Sequence, residues 1–316
     1  MINVQQDRTL TTSRKCGFLI SLALALFALN TATAAADDPT PIATDRQSAL
    51  ALGVGSTGTI VFWHATCGSD FSPASSYLRT LDLGSTEMLP RTLYAPAGCG
   101  ASRIVSDNVA TDGRSLYWLT ADRNVRSIQL NGGDLRDVAH FGSGSATQGS
   151  VAVGNSQVYW TDGAQVFVAP SDAMNDQGLA LYRGSNMRNL KIASDQSLYV
   201  LSGNRLLHLV PAGANLMPVH VADSVDAYDL DGDAVFYGVG SSIEYRIRGS
   251  DPVRLAALPS SGTIDGLAVT ANYVYVHVRP PLQSGSLYGV SRADGSIRTL
   301  TGNTPFAAQL AVVGGN

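Results

Sequence analysis

The chain alternates short apolar runs with polar turns, and one apolar pattern recurs along most of its length. In six places a valine or leucine is followed by two further bulky residues. The triplets are Val61-Phe62-Trp63, Leu116-Tyr117-Trp118, Val158-Tyr159-Trp160, Leu198-Tyr199-Val200, Val235-Phe236-Tyr237 and Val274-Tyr275-Val276. Their central aromatic residues are 55, 42, 40, 37 and 39 positions apart. A period close to forty residues is typical of a repeat architecture.

The triplets lie between turns rich in Gly, Asp, Asn and Pro, such as Asn131-Gly132-Gly133 and Ala293-Asp294-Gly295. Such residues supply the φ angles that tight hairpins need. Each repeat therefore contains four short antiparallel strands, which is the signature of a β-propeller blade. A helical repeat needs apolar residues at helical spacing, and beyond residue 36 the chain offers no such window free of Gly, Asn, Asp or Pro. A β-sandwich gives no reason for a period of forty residues. We predict an all-β chain with six four-stranded blades, and seven blades with one partial blade as the alternative.

One copy of the pattern continues as Tyr159-Trp160-Thr161-Asp162, and this tetrapeptide resembles the repeat motif of the YWTD propellers. The resemblance covers 48–316, where the other copies are degenerate: FWHA, YWLT, YVLS, FYGV and YVHV. It implies a six-bladed propeller like those of lipoprotein-receptor ectodomains and of bacterial secreted proteins. Members of that family mostly bind other proteins, but none of their contact residues transfers to this sequence.

The N-terminal segment has the pattern of a secretory signal peptide. Arg8, Arg14 and Lys15 precede an apolar run over 18–29, and small residues follow at 32–36. The run is shorter than the ~20 residues that cross a bilayer. We therefore expect a signal peptide over 1–36, a polar leader over 37–47 and one propeller domain over 48–316. The mature protein is expected to be secreted or periplasmic, without a membrane span.

Charge narrows the classes of partner. The formal charge is -4, and three cations and one anion lie in 1–36, so the remainder carries -6. An acidic chain is a poor ligand for nucleic acid. Lys191 is the one lysine left after processing, which argues against Schiff-base chemistry. We expect a monomer whose partner is a protein, a peptide or a glycan.

Cys67 and Cys99 remain after processing, and in an oxidising compartment two cysteines are expected to pair. Both fall in connections that emerge on one face of the first blade, around an insertion of about fifteen residues that lengthens the first spacing. We predict a disulfide that holds this loop, with ~3–4 kcal/mol of stabilisation in the loop-entropy model. The innermost strand of the first blade has two candidates, 50–54 and 309–314.

His64 and His277 occupy equivalent positions, each one residue past a triplet, on blades that adjoin in a six-bladed ring. Two imidazoles near the opening of the ring have the chemistry of acid and base or of metal ligands. The alternative is that both pack between blades, as the other residues at this position do: Leu119, Thr161, Leu201 and Gly238.

Acids and arginines follow the second strands or occupy the links between blades, and these connections share one face. Mixed charges of this kind favour a polar or anionic ligand. The candidate binding residues are Asp70, Arg103, Asp122, Arg123, Asp162, Arg188 and Arg279.

Other motifs carry no chemistry of their own. Asp229, Asp231 and Asp233 have the first three spacings of a calcium loop, but Ala234 and Gly240 stand where the loop needs Gly and Glu. Catalytic and phosphate-binding motifs are absent from the sequence, and we predict neither a metal nor a cofactor. The function predicted is a binding module that uses its loop face, with a propeller-housed lyase or hydrolase using His64 and His277 as the alternative.

Overall fold

A computed structural model describes residues 50–54, 59–66, 75–82, 91–96, 102–141, 149–281 and 284–304. For 50–54, 59–66, 75–76, 81–82 and 301–304 it describes the backbone alone. All of these residues belong to one compact unit, 38–316. Within them no helix is both long and apolar enough to cross a membrane. The signal peptide, the polar leader, Cys67, Asp70, Cys99 and the segment 309–314 lie outside the described residues.

The described chain folds into six antiparallel sheets of four strands, and each sheet is one blade. The first two blades comprise β1 (Leu50–Val54), β2 (Thr59–Thr66), β3 (Ser75–Asp82), β4 (Arg91–Tyr94), β5 (Ala110–Thr111), β6 (Ser115–Leu119), β7 (Asn124–Gln129) and β8 (Arg136–His140). The next two comprise β9 (Ser150–Gly154), β10 (Gln157–Thr161), β11 (Gln165–Pro170), β12 (Leu179–Arg183), β13 (Met187–Ile192), β14 (Leu198–Ser202), β15 (Arg205–Ala212) and β16 (Asn215–Ala222). The last two comprise β17 (Val225–Asp231), β18 (Ala234–Val239), β19 (Ser242–Ile247), β20 (Val253–Ala257), β21 (Thr263–Val269), β22 (Tyr273–Arg279), β23 (Gly285–Ser291) and β24 (Ile297–Thr304).

This architecture confirms the predicted six-bladed propeller. Every apolar triplet lies in the second strand of its blade, from Val61-Phe62-Trp63 in β2 to Val274-Tyr275-Val276 in β22. β1 pairs with β2 over its whole length, so 50–54 supplies the innermost strand of the first blade. Of the two candidates for that position, the structure therefore selects the N-terminal one.

The apolar core is divided among the interfaces between blades. Five clusters of buried side chains each combine residues of two consecutive blades, from the first pair of blades to the fifth. Tyr117 packs in the cluster shared with the third blade, whereas Trp118 packs in the cluster shared with the first. Tyr199 and Val200 divide in the same way between the fifth and the third blade. Alternate residues of a second strand therefore fill opposite interfaces, as the period of a strand requires.

The burial of the central aromatic residues is less uniform than their spacing. Tyr117, Tyr199 and Phe236 are buried, but Tyr159 and Tyr275 are only partly covered. The residue that follows each of them is the more constant core position, because Trp118, Trp160, Val200, Tyr237 and Val276 are all at most 1% exposed.

The two ends of the blades differ in the connections that they carry. The turns between second and third strands emerge at one end together with the links between blades, and we call this end the link face. The turns between first and second strands and between third and fourth strands emerge at the other end, the turn face.

Ion pairs join neighbouring blades at or near the turn face. Within the described residues, three pairs connect consecutive blades: Lys191–Asp229 at 2.6 Å, Arg248–Asp195 at 2.5 Å and Arg292–Asp231 at 2.6 Å. Arg248 also lies 3.5 Å from Asp233 of its own blade. The three acids with calcium-loop spacing therefore engage three different cations.

The outer edge of the second blade is covered by the third. The segment between β11 and β12 runs beside β8, and the backbone N–H groups of Asn175 and Asp176 donate to the carbonyls of Asp137 and Val138, both at 3.0 Å. The same segment ends at Gly178, whose φ is +65° and whose backbone lies against the buried indole of Trp160.

Replacement of Gly178 by alanine should lower stability more than the same change at Gly213. Both glycines have positive φ, +65° and +67°, but an added Cβ at Gly178 would lie 2.4 Å from the Trp160 ring, whereas nothing lies within 4 Å at Gly213. We expect Gly213→Ala to cost about 1–2 kcal/mol through the backbone alone, and Gly178→Ala about 1–3 kcal/mol more through overpacking. Urea unfolding of the two variants measures the difference, and equal losses would contradict the packing described here.

Candidate functional site

Three inner strands carry a bulge near the link face. The pairing register shifts between Arg188 and Lys191 in β13, between Val225 and Tyr228 in β17 and between Ile264 and Gly266 in β21. A bulge re-aims side chains at the point where pairing is interrupted. In the second blade, residues 105–109 also interrupt the pairing of the inner strand, because they lie between the isolated bridge at Ile104 and β5.

The bulges bring polar residues of four blades to the inner strands near the link face, where the central channel of a propeller opens. We call this group the mouth, and its members are Asp107, Arg188, Asn189, Asp226 and Asp265. Arg188 was among the predicted binding residues. The other four were missed, because a bulge gives no signal in a single sequence beyond a polar residue within a short strand.

Hydrogen bonds between blades fix the mouth. The Asp107 carboxylate accepts from the backbone N–H of Asn189, and the Asp226 carboxylate accepts from the backbone N–H of Ile264. The Tyr228 hydroxyl lies within hydrogen-bonding distance of the carbonyl oxygens of Asn189 and Tyr199. Asn189 has a φ of 56°, in the left-handed region that asparagine tolerates. The second, fourth, fifth and sixth blades are thus connected at this level.

Two charges of the mouth remain without an ion-pair partner among the described residues. Among the described residues, the Arg188 guanidinium donates hydrogen bonds to the carbonyl oxygens of Asp226 and Gly203, each at 3.4 Å. Asp226 is half-buried, and burial raises the pKa of its carboxyl group above the ordinary value, although the Ile264 N–H and the Arg188 charge oppose the shift. Both groups therefore retain capacity for a ligand.

Asp107 is the most strongly perturbed acid of the mouth. Burial raises the pKa of its carboxyl group to about 7, against the opposing effects of the Asn189 N–H and of the Arg188 charge. Perturbed acids of this kind are concentrated in functional sites, although structural networks also produce them.

His277 lies beside the mouth and is fully packed. Its Nδ1 bonds to Asp265, whose other carboxylate oxygen accepts from Arg279 Nε at 3.0 Å. The ring is 1% exposed. A Cβ added at Gly285 would lie 2.2 Å from His277 Nε2, so the opposite edge of the ring rests on that glycine. The backbone of His64 is in β2, opposite Tyr77, but its side chain lies outside the description, and a pairing of the two histidines stays a prediction.

The predicted rim residues that are described lie at the link face, but they differ in what they contact. Asp122 bonds to Arg126 at 2.9 Å within the second blade. Arg123, at the same turn, has a φ of 66° and an exposed side chain without a hydrogen bond or ion pair in the described structure. The carbonyl of Arg103 accepts from Ala121 N at 3.0 Å, which places this arginine beside the same turn.

Asp162 has a local structural role. Its Oδ1 accepts from the backbone N–H groups of Ala164 and Gln165, at 2.9 and 2.8 Å, and the residue is 7% exposed. Asp112 binds its own turn in the same manner at the turn face of the second blade. The aspartate of the YWTD-like tetrapeptide therefore caps a turn, as aspartates in tight turns commonly do.

A second polar network, on the second blade, was not predicted from the sequence. Arg126 bonds to Asp137 at 2.6 Å and to the Tyr94 hydroxyl at 2.9 Å. Asp137 also accepts from Asn124 at 3.1 Å, and Asn124 contacts His140 Nδ1. The network links strands of the first and second blades, and its members carry no spacing that would have revealed it.

Comparison with solved structures identifies the fold. The chain is similar to the Swd1 β-propeller domain from Myceliophteria thermophila, with a TM-score of 0.62 and 13% identity over 84% of this chain and 90% of that one. It is also similar to a catalytically inactive variant of virginiamycin B lyase from Staphylococcus aureus with quinupristin, with a TM-score of 0.59 and 11% identity over 81% and 85% of the two chains. At these identities the similarity shows a β-propeller and nothing finer.

Searches at the level of sequence do not refine this assignment. No family model matches the chain, and no curated protein matches it. The propeller fold implied by the YWTD resemblance is therefore confirmed, whereas membership of that family stays a prediction.

Replacement of Asp107 by asparagine should change how stability depends on pH. The pKa of this carboxyl group is about 7 in the folded chain against an ordinary value of 3.8, so between these values the folded state binds more protons than the unfolded state. Its contribution therefore favours folding at low pH and is lost as pH rises towards 7, by at most about 1.4 kcal/mol per pH unit. The amide introduced by the substitution would keep an acceptor for the Asn189 N–H without this loss.

The stability of Asp107→Asn relative to the native chain should thus rise between about pH 4 and 7 and stay level above. Urea unfolding at several pH values measures the difference, in which the groups common to both proteins cancel. Parallel curves for the two proteins would show that Asp107 is not the perturbed acid.

Proposed function

We propose that the chain is an exported β-propeller that acts as a binding module and takes a protein, peptide or glycan on its link face. The N-terminal pattern of charge, apolar run and small residues supports export. The propeller fold supports a binding role, because its loops present a broad surface on a rigid scaffold.

One observation carries the choice of face. The ion pairs that join blades in the described structure lie at or near the turn face: Lys191–Asp229, Arg248–Asp195 and Arg292–Asp231. At the link face the pairs stay within one blade, as Asp122–Arg126 and Asp265–Arg279 do. These three ion pairs hold neighbouring blades together at the turn face, whereas Arg123 and Arg188 of the link face lack an ion pair in the described structure and are available to a ligand.

The available cations of the link face are arginines, and these indicate that the ligand carries anionic groups. Arginine presents several donors in a planar arrangement that matches carboxylates and other oxyanions. Arg123 belongs to the second blade, Arg188 to the fourth and Arg279 to the sixth, so the three are distributed around the ring. A ligand with anionic groups would contact more than one of them.

The alternative function, a lyase or hydrolase, requires that His277 reach a substrate, and its surroundings do not favour such access. A general acid or base must reach the reacting group of the substrate directly or through one water. His277 is 1% exposed, with Nδ1 held by Asp265 and Nε2 against Gly285. These contacts favour a packing role for the imidazole, and they give the lyase or hydrolase hypothesis no positive support.

Removal of the three link-face arginines should weaken ligand binding. A triple alanine variant of Arg123, Arg188 and Arg279 would be screened beside the native chain against displayed peptide libraries and glycan arrays. We expect ligands captured by the native chain to bind the variant at least about tenfold more weakly, since a charge-assisted hydrogen bond contributes ~1.5–3 kcal/mol. Thermal unfolding confirms that the variant is folded.

A control with the same change in charge tests the face rather than the charge. Arg114, Arg254 and Arg298 are exposed arginines away from the link face, and their triple alanine variant should bind as the native chain does. Equal loss in both variants would show that net charge decides binding. Undiminished binding by the link-face variant would refute the proposed face.

A further inference from the structure

The mouth contains a cation and an anion that do not satisfy one another. Arg188 and Asp226 belong to adjacent blades, yet the guanidinium reaches the Asp226 carbonyl at 3.4 Å instead of its carboxylate. Neither side chain forms an ion pair within the described part of the chain. Asp265, another acid of the mouth, differs from them in that it pairs with Arg279 at 3.0 Å.

The spacing of these two charges is fixed by the fold. Arg188 precedes the bulge of β13, and Asp226 lies in the bulge of β17. The Tyr228 hydroxyl is anchored at the Asn189 and Tyr199 carbonyls, which joins the two bulged strands. The Ile264 N–H holds the Asp226 carboxylate from the other side. These hydrogen bonds between blades hold the two bulged strands together and fix the Asp226 carboxylate, so the anionic end of the pair is preorganised.

We propose that the mouth binds a small zwitterion, with the ligand's carboxylate on Arg188 and its ammonium group on Asp226. The ligand class is that of free α-amino acids and short peptides, which carry both charges in one small molecule. This inference rests on the proposed function and specifies the chemistry of the ligand at the centre of the link face.

Ligands with one charge fit the mouth less well. A simple anion at Arg188 would lie close to the carboxylates of Asp226 and Asp107, and a simple cation at Asp226 would lie close to Arg188. A metal ion is not favoured, because the described residues include no group of three or more side chains suited to hold one. A zwitterion pairs with both charges at once, and its ammonium group offsets the repulsion between its carboxylate and Asp226.

The test compares three ligands of similar size on the purified chain. L-alanine carries both charges, propionate carries only the carboxylate, and L-alaninamide carries only the ammonium group. We expect calorimetric titration, or amide chemical-shift changes where binding is weak, to show tighter binding of L-alanine than of either analogue. The dipeptide L-alanyl-L-alanine, measured beside L-alanine, distinguishes a free amino acid from a short peptide as the source of the zwitterion.

Two variants with uncharged polar side chains assign the charges. Arg188→Gln and Asp226→Asn should each weaken L-alanine binding about tenfold or more, and Arg188→Gln should remove the preference for L-alanine over L-alaninamide. Arg114→Gln, an exposed arginine of the turn face, serves as the matched control and should bind as the native chain does. Circular dichroism and thermal unfolding verify that the variants are folded.

Equal affinity for L-alanine and propionate would overturn the inference and indicate an anion site instead. The absence of binding by all of the probes would also overturn it. Either result leaves the proposed function to the partner screen, which depends on Arg123 and Arg279 as well as on Arg188. If the link-face variant loses partner binding but the native chain binds no zwitterion, only the inference is therefore rejected. Zwitterion binding without any partner that depends on the link face would reject the broader proposal.

Discussion

Burial of each blade on both faces is the constraint on which this fold depends. A single four-stranded sheet cannot cover two apolar faces by itself, and the five core clusters show that each consecutive pair of blades covers one face of each member. The second strand is the one most in need of apolar residues on both faces, because it has a strand on each side within its blade and a neighbouring blade against each face. Two adjacent bulky residues fill both faces of this strand, because the side chains of neighbouring residues point in opposite directions. Tyr117-Trp118 and Phe236-Tyr237 divide between two interfaces in this way.

The same constraint explains which parts of the structure were predictable. The bulky pair is a local signal that recurs once per blade, so the number of blades and the place of each second strand followed from the sequence. The mouth did not follow, because it depends on how inner strands of different blades align. Nothing in the sequence around Asp226 distinguishes a bulge from an ordinary strand. Asp162 shows the opposite limit: its position at the link face was predicted, whereas its use in capping its own turn became visible only through the Ala164 and Gln165 contacts.

The run Asp229, Asp231 and Asp233 illustrates why spacing alone cannot assign chemistry. The carboxylates lie at alternate positions at the end of β17 and beyond it, and they meet Lys191, Arg292 and Arg248. Asp229 also accepts from the Val269 N–H at 2.9 Å, in the sixth blade. Partly exposed ion pairs of this kind contribute about 0–1 kcal/mol each, which is little beside the burial of the interfaces. Their main consequence is geometric, because they set the alignment of the fourth, fifth and sixth blades near the turn face.

That alignment gives the two ends of the inner strands different roles. Near the turn face the strands keep regular pairing with their neighbours and are held across blades by side-chain charges. Near the link face the register shifts in β13, β17 and β21, and each shift leaves backbone groups that need other partners. The Asn189 and Ile264 N–H groups find them in the carboxylates of Asp107 and Asp226. The Asp226 carboxylate is thereby held by the Ile264 N–H, and it forms no ion pair with Arg188 in the described structure. Arg188 and Asp226 thus stay unpaired with one another among the described residues of the link face, where the bulged backbone of β21 donates to the Asp226 carboxylate, and a ligand that brings both charges would complete this arrangement.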